Sequence, residues 1–194
     1  MNEDLKQLKA LMNAMGSLNE ADWECFAAIW KPYSSPRKVA LTHVGETEKY
    51  LYFVLDGVQR VYYFDSQGRE ATIVFMYPPS FAGVLDSFML QLPSKYCFET
   101  LSTSRFLRAS FVDVNALMKS RPALQGLILQ GMSQVLSGLL ERLVELQSFS
   151  SEEKFSRFLA RSPHILQLVP HKYLANYIGI DATNFSKLIN KVKI

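Results

Sequence analysis

Between Val39 and Ser110 no helical period survives, and this change of texture constrains the fold more than any other feature of the chain. Runs rich in Tyr, Phe, Val and Leu are cut every few residues by Gly, Pro or Asp. Tyr50 to Leu55 is an apolar run closed by Asp56-Gly57. Val58 to Phe64 alternates, with Val61 and Tyr63 on one face and Arg60 and Tyr62 on the other. Asp65-Ser-Gln-Gly68 has the chemistry of a hairpin turn; Ala71 to Tyr77 is the partner strand, and Pro78-Pro79 stops it. Tyr96 to Leu101 and Arg105 to Phe111 read as two further strands. Many short strands with frequent turns are expected to form an antiparallel barrel or jelly roll.

Helical periods flank this region. Residues 3–15 place Leu5, Leu8, Leu11 and Met12 on one stripe. Ser17 and Glu20 have capping-box spacing before a second helix holding Trp23, Phe26, Ala27 and Trp30, which Pro32 and Pro36 should end. After the strands, Asp113 to Met118 reads as a short helix, and Pro122 to Phe149 as one long helix with Pro in its first turn. Ile128, Met132, Val135, Leu139, Leu143 and Leu146 follow nearly a coiled-coil spacing along a rod on the order of 40 Å. Two arrangements are open: the rod lies on its own barrel, or one stripe meets a second copy. The apolar positions Leu124, Leu127, Leu136 and Leu140 widen the stripe beyond one face, which favours a two-fold homodimer.

Composition narrows the chemistry. Hydrophobic residues make up 48% and charged residues 20% of the 194, as in a soluble globular protein. The polar start and the charges or Gln residues that break each apolar stretch lead us to expect no signal peptide, no membrane span and a cytoplasmic location. Cys25 and Cys97 are expected to be inert thiols. The three histidines, His43, His164 and His171, match no metal-ligand pattern, and no nucleophile elbow or phosphate loop is present. An enzyme on a metal-bearing barrel is therefore not expected.

Function concentrates at the C-terminus. Ser150 to Glu153 opens a helix with Phe155, Phe158 and Leu159 that stops at Pro163. Residues 148–194 carry seven Lys/Arg against three Asp/Glu, a sum of +4, while residues 1–147 sum to −1. His171 to Ile178 is a short amphipathic helix with Leu174, Ala175 and Ile178 inward. Gly179 suits a left-handed turn, Ile180 plugs it, and Asp181 caps a second helix whose buried stripe is Phe185, Leu188 and Ile189. This is helix-turn-helix spacing. Ala182, Thr183, Asn184, Ser186, Lys187, Asn190 and Lys191 face outward, as a major-groove reader requires. Lys172, Lys187, Lys191 and Lys193 are candidate phosphate contacts. A plain αα-hairpin with a polar face is the competing interpretation.

The order of parts resembles the cyclic-AMP receptor protein/Fnr (Crp/Fnr) superfamily of bacterial transcription regulators, over nearly the whole chain. Gly45-Glu46, Tyr50-Leu-Tyr-Phe-Val-Leu-Asp-Gly57 and Val58-Gln-Arg-Val61 resemble its cyclic-nucleotide-binding barrel, and Lys172-Tyr-Leu-Ala-Asn-Tyr-Ile-Gly-Ile180 its helix-turn-helix. The resemblance implies an α+β fold: an N-terminal antiparallel β jelly-roll barrel flanked by helices (residues 1–118), a long dimerisation helix (119–149) and a C-terminal helix-turn-helix domain (150–194). It implies double-stranded DNA and RNA polymerase as partners. It also places a ligand pocket at Gly83, Val84, Leu85, Ser94 and Lys95. Here the chain departs from the family, because Val84 stands where a ribose-binding Glu is expected, and Pro93-Ser94 where the phosphate-pairing Arg is expected. Losing two charge-assisted hydrogen bonds, roughly 1.5–3 kcal/mol each, makes cyclic-nucleotide binding unexpected. Another small effector, an anion near Ser94 and Lys95, is the alternative, and no cofactor is required. The recognition helix departs too: Ala182-Thr183 and Lys187 replace the family's Arg-Glu pair and later Arg. A sensor or protein-interaction module with degenerate DNA binding is the second reading.

Overall fold

The computed structural model describes residues 3–191; Lys193 lies outside the described residues. The chain opens with α1 (Glu3–Met15) and α2 (Glu20–Ala28). The cap of α2 is Asn19, whose side chain accepts from the Asp22 N–H, and not Ser17 as its spacing suggested. The helix ends before Trp30, because Lys31–Ser35 is already extended. That stretch forms β1, with Pro32 inside it, and an edge strand tolerates proline because one side of its backbone needs no partner.

Seven more strands follow: β2 (Ala40–Thr42), β3 (Tyr50–Asp56), β4 (Gln59–Phe64), β5 (Glu70–Met76), β6 (Ser80–Ala82), β7 (Cys97–Thr100) and β8 (Ser104–Ser110). A short helix, α3 (Leu85–Leu90), follows β6. The strands form two antiparallel sheets ordered β1-β8-β3-β6 and β2-β7-β4-β5. The β4–β5 hairpin is closed by Asp65, whose carboxylate accepts from the Gln67 and Arg69 N–H groups. Strands β1, β2 and β6 and helix α3 were not among the expected elements.

Tyr52, Val54, Val61, Met76, Val84, Phe98 and Phe106 fill the space between the sheets. The first sheet's outer face is apolar as well. Phe53, Leu107 and Ala109 meet Leu8, Met12, Trp23, Phe26 and Trp30 of the N-terminal segment. Burial on both faces explains why β3 reads as a continuous apolar run with no alternation. In β4, Arg60 and Tyr62 share a face, with the guanidinium carbon 3.9 Å from the ring centre. Val61 fills the barrel, while Tyr63 and Phe64 project past it. Phe111, expected to end β8, begins α4 (Phe111–Ser120), which Ser110 caps.

Helix α5 (Pro122–Ser148) is the expected rod. Its start is fixed on the barrel by Leu124 and Leu127. Further along, Leu129, Leu136, Leu140 and Leu143 are about half exposed. By length and composition α5 could cross a membrane. Four helices complete the described chain: α6 (Ser151–Arg161), α7 (Ile165–Leu168), α8 (His171–Tyr177) and α9 (Ala182–Lys191). Only α7 was unforeseen among them. Their core of Phe155, Phe158, Ile165, Leu174, Phe185 and Leu188 is continuous with Val58, Phe75 and Leu101 of the barrel.

Candidate DNA interface and sensor barrel

The turn between α8 and α9 is built as its residues demand. Gly179 has φ +65°, a conformation that costs glycine little, and the Ile180 N–H returns to the Ala175 carbonyl at 3.0 Å. Asp181 then caps α9, accepting from the Thr183 and Asn184 N–H groups at 2.8 and 3.2 Å. Those backbone bonds hold its carboxyl below the usual carboxylate range. The Phe185 ring meets Phe155 edge-on at 5.3 Å, so α9 is anchored from beneath.

This arrangement leaves Ala182, Thr183, Ser186, Lys187, Asn190 and Lys191 exposed along α9, with Asn184 half-buried. Two of these side chains have other partners: Ser186 donates back to the Ala182 carbonyl at 3.0 Å, and Lys191 pairs with Glu152 at 3.2 Å. Lys172 is exposed on α8, its ammonium 4.6 Å from the Tyr173 ring centre.

The rest of α8 is attached to the barrel, which sequence reasoning missed. The Asn176 side chain behaves as a piece of strand beside the open edge of β5. Its carbonyl accepts from the Thr72 N–H at 2.6 Å and its amide donates to the Glu70 carbonyl at 2.7 Å. Arg142 of α5 donates to the Thr72, Ile73 and Tyr177 carbonyls, joining sheet edge, rod and α8 at one guanidinium. Arg60 lies between the Tyr62 and Tyr173 rings, 3.9 Å from each centre, with Glu99 and Glu70 at 2.6 and 2.8 Å. Burial opposes its charge, but the hydrogen bonds it donates to the two carboxylates outweigh that and raise its pKa. In sequence Asn176 looks like any polar surface residue, and no local signal marks it.

The expected ligand residues are differently disposed. Gly83 has φ +128°, and a Cβ there would come within 3.3 Å of the Tyr50 carbonyl. Val84 and Ser94 are buried, Leu85 is half-buried and Lys95 is exposed. Ser94 serves its own turn, its hydroxyl donating to the Tyr96 carbonyl and accepting from the Tyr96 N–H. Facing the Gly83-Val84 loop is Glu48, only 1% exposed, another residue the sequence did not flag. Its carboxyl accepts from Thr42 Oγ1 at 2.7 Å, the Tyr50 N–H at 3.2 Å and the Val84 N–H at 3.3 Å. Burial raises its pKa above the ordinary value. Among the described residues no group of His, Cys, Asp and Glu is placed to hold a metal.

No family model matches the chain, and no curated protein matches it either. Solved structures do. FixK2 from Bradyrhizobium japonicum superposes with TM-score 0.75 at 14% identity, covering 84% of both chains. CLP, the c-di-GMP responsive global regulator of Xanthomonas campestris, gives 0.69 at 15% identity, over 89% of this chain and 91% of its own. A transcriptional regulator of the Crp/Fnr family from Eubacterium rectale gives 0.70 at 15% identity, over 90% and 83%. The chain has the Crp/Fnr fold. Its jelly-roll barrel, rod and helix-turn-helix are thus the parts of one known architecture.

Proposed function

We propose that this protein is a cytoplasmic DNA-binding transcription regulator that works as a homodimer and is controlled by its barrel. One observation carries the reading: α9 presents Thr183, Lys187 and Asn190 to solvent from a helix held rigidly by Phe185 beneath and Asp181 at its start. Asn can pair with adenine, Lys can reach guanine or phosphate, and Thr can do either. The basic C-terminal segment supports it, as do solved neighbours with the Crp/Fnr fold. Lys172, Ala182, Asn184, Ser186 and Lys191 complete the proposed contact surface, and RNA polymerase is the downstream partner the fold suggests.

The dimer rests on α5. Ile128, Met132 and Leu146 of the expected seam are half-buried within the chain, while Val135, Leu139 and Leu143 are exposed. The exposed set Leu129, Leu136, Leu140 and Leu143 is spaced 7, 4 and 3, a heptad stripe for a second copy. Leu136→Glu should convert a dimer to a monomer in sedimentation; an unchanged mass removes the seam. The barrel does not take cyclic AMP in the usual manner, because Val84 and the turn residue Ser94 replace the charged contacts.

Genomic footprinting and gel shifts at moderate salt test the whole reading. Binding to a preferred site is expected, lost in the Asn184→Ala, Lys187→Ala double variant, with Lys187→Ala alone lowering the salt slope by about 1. No preferred site, with transcript levels unmoved by that double variant, establishes instead a sensor or interaction module with degenerate DNA binding.

A further inference from the structure

Among the described residues every arginine sheltered from solvent except one meets a carboxylate or a backbone carbonyl. Five meet a carboxylate: Arg60, Arg69, Arg105, Arg121 and Arg161. Arg37 and Arg142 donate to backbone carbonyls, and Arg157 is exposed. Arg108 is half-buried, and among the described residues no carboxylate or carbonyl pairs with it. Strand register brings its neighbours together. Tyr33 lies opposite Phe106, Tyr52 opposite Arg108, and Tyr50 opposite Ser110, so alternation turns these side chains to one face of the first sheet. The guanidinium carbon sits 4.0 Å from the Tyr33 ring centre and 4.3 Å from that of Tyr50, and Tyr52 is its cross-strand neighbour.

Arg60 shows what such a sandwich is for. Its two faces are likewise covered by tyrosine rings, and the in-plane N–H groups left over are taken by Glu70 and Glu99. Stacking closes the faces of a guanidinium and leaves its edge, a planar fork that matches the two oxygens of an oxyanion. Glu48, the carboxylate in the same interior, is turned to Thr42, Tyr50 and Val84 and not to Arg108. Position, stacking and an edge that meets no carboxylate or carbonyl among the described residues therefore coincide at one half-buried cation.

We propose that the edge of Arg108, walled by Tyr33 and Tyr50, binds one oxyanion group, a carboxylate or a phosphate, of a small effector. This deepens the sensor half of the function proposed above and moves the anion site off the Ser94-Lys95 loop onto β1, β3 and β8. Binding there bridges the edge strand β1 to β3 through β8, so the effector stiffens that sheet.

Titrating the full-length protein with inorganic phosphate, and separately with succinate, tests the site without DNA. The readouts are binding heat and the Arg108 Nε–H resonance. Saturable binding that moves this resonance is expected for at least one probe, and which one identifies the effector as a phosphate or a carboxylate. Arg108→Lys keeps the charge but not the fork, and should weaken that binding at least tenfold while circular dichroism is unchanged. Arg157→Lys should leave it as it was. No saturable response to either probe, an equal response in Arg108→Lys, or a response confined to resonances of α9 overturns the site and leaves the DNA reading untouched. If Arg108→Lys does not fold, the wild-type resonance decides alone.

Discussion

The two helices of the helix-turn-helix use their polar faces differently. Helix α9 keeps its outward side chains in solvent, whereas α8 commits Asn176 and Tyr177 to the edge of β5 and to Arg142. Both have the same kind of apolar underside, with Leu174 and Phe185 fully buried in one cluster. The difference therefore lies in their partners. One polar face is free to meet a ligand, and the other already has one within the chain. A polar helix face in a sequence is consequently no guide to free hydrogen-bonding groups when an open sheet edge with unpaired N–H and C=O groups lies within reach.

Three changes break or sharpen this contrast. Phe185→Ala removes the shared underside and should cost about 3–5 kcal/mol, loosening both helices together. Chemical denaturation checks it, and a loss confined to α9 would show that the two do not share a core. Asn176→Ala touches only the α8 side. It leaves the Thr72 N–H and Glu70 carbonyl without that partner and should cost roughly 1–3 kcal/mol, with faster hydrogen exchange at Thr72 while α9 stays folded. The smallest effect belongs to Asp181. Its pKa is depressed in the folded state by the Thr183 and Asn184 N–H groups, so its contribution is present above the unfolded value and is lost as pH falls through the folded one. Melting temperature should therefore decline on acidification less steeply in Asp181→Asn, whose cap carries no charge, than in the natural chain. Parallel slopes would show the cap to be energetically silent.

Much of the architecture was legible because it follows from period. The stripe of α1, the long run of α5 and the Ala175–Gly179–Asp181 spacing each state their element locally. What stayed hidden depended on long-range partners. β1 contains Pro32 and reads as a helix breaker, yet it sits at a sheet edge where proline is harmless. Glu48 is one acidic residue in a polar stretch, and only the approach of Thr42 and the Gly83-Val84 loop buries it. Ser94 was read as a ligand group, but a two-residue turn consumes its hydroxyl. Arg108 passed unnoticed because its aromatic walls come from two other strands. The exposed residues of α9 were easier to place, since a cap, a turn and a helix period set their positions locally.

Arg142 ties three parts with one side chain: two carbonyls of a strand edge, one carbonyl at the end of α8, and the rod it grows from. A mechanical linkage with a common pin does not let its arms turn separately. Any roll of the rod must either carry the β5 edge and α8 along with it or break the bonds that meet at this one guanidinium.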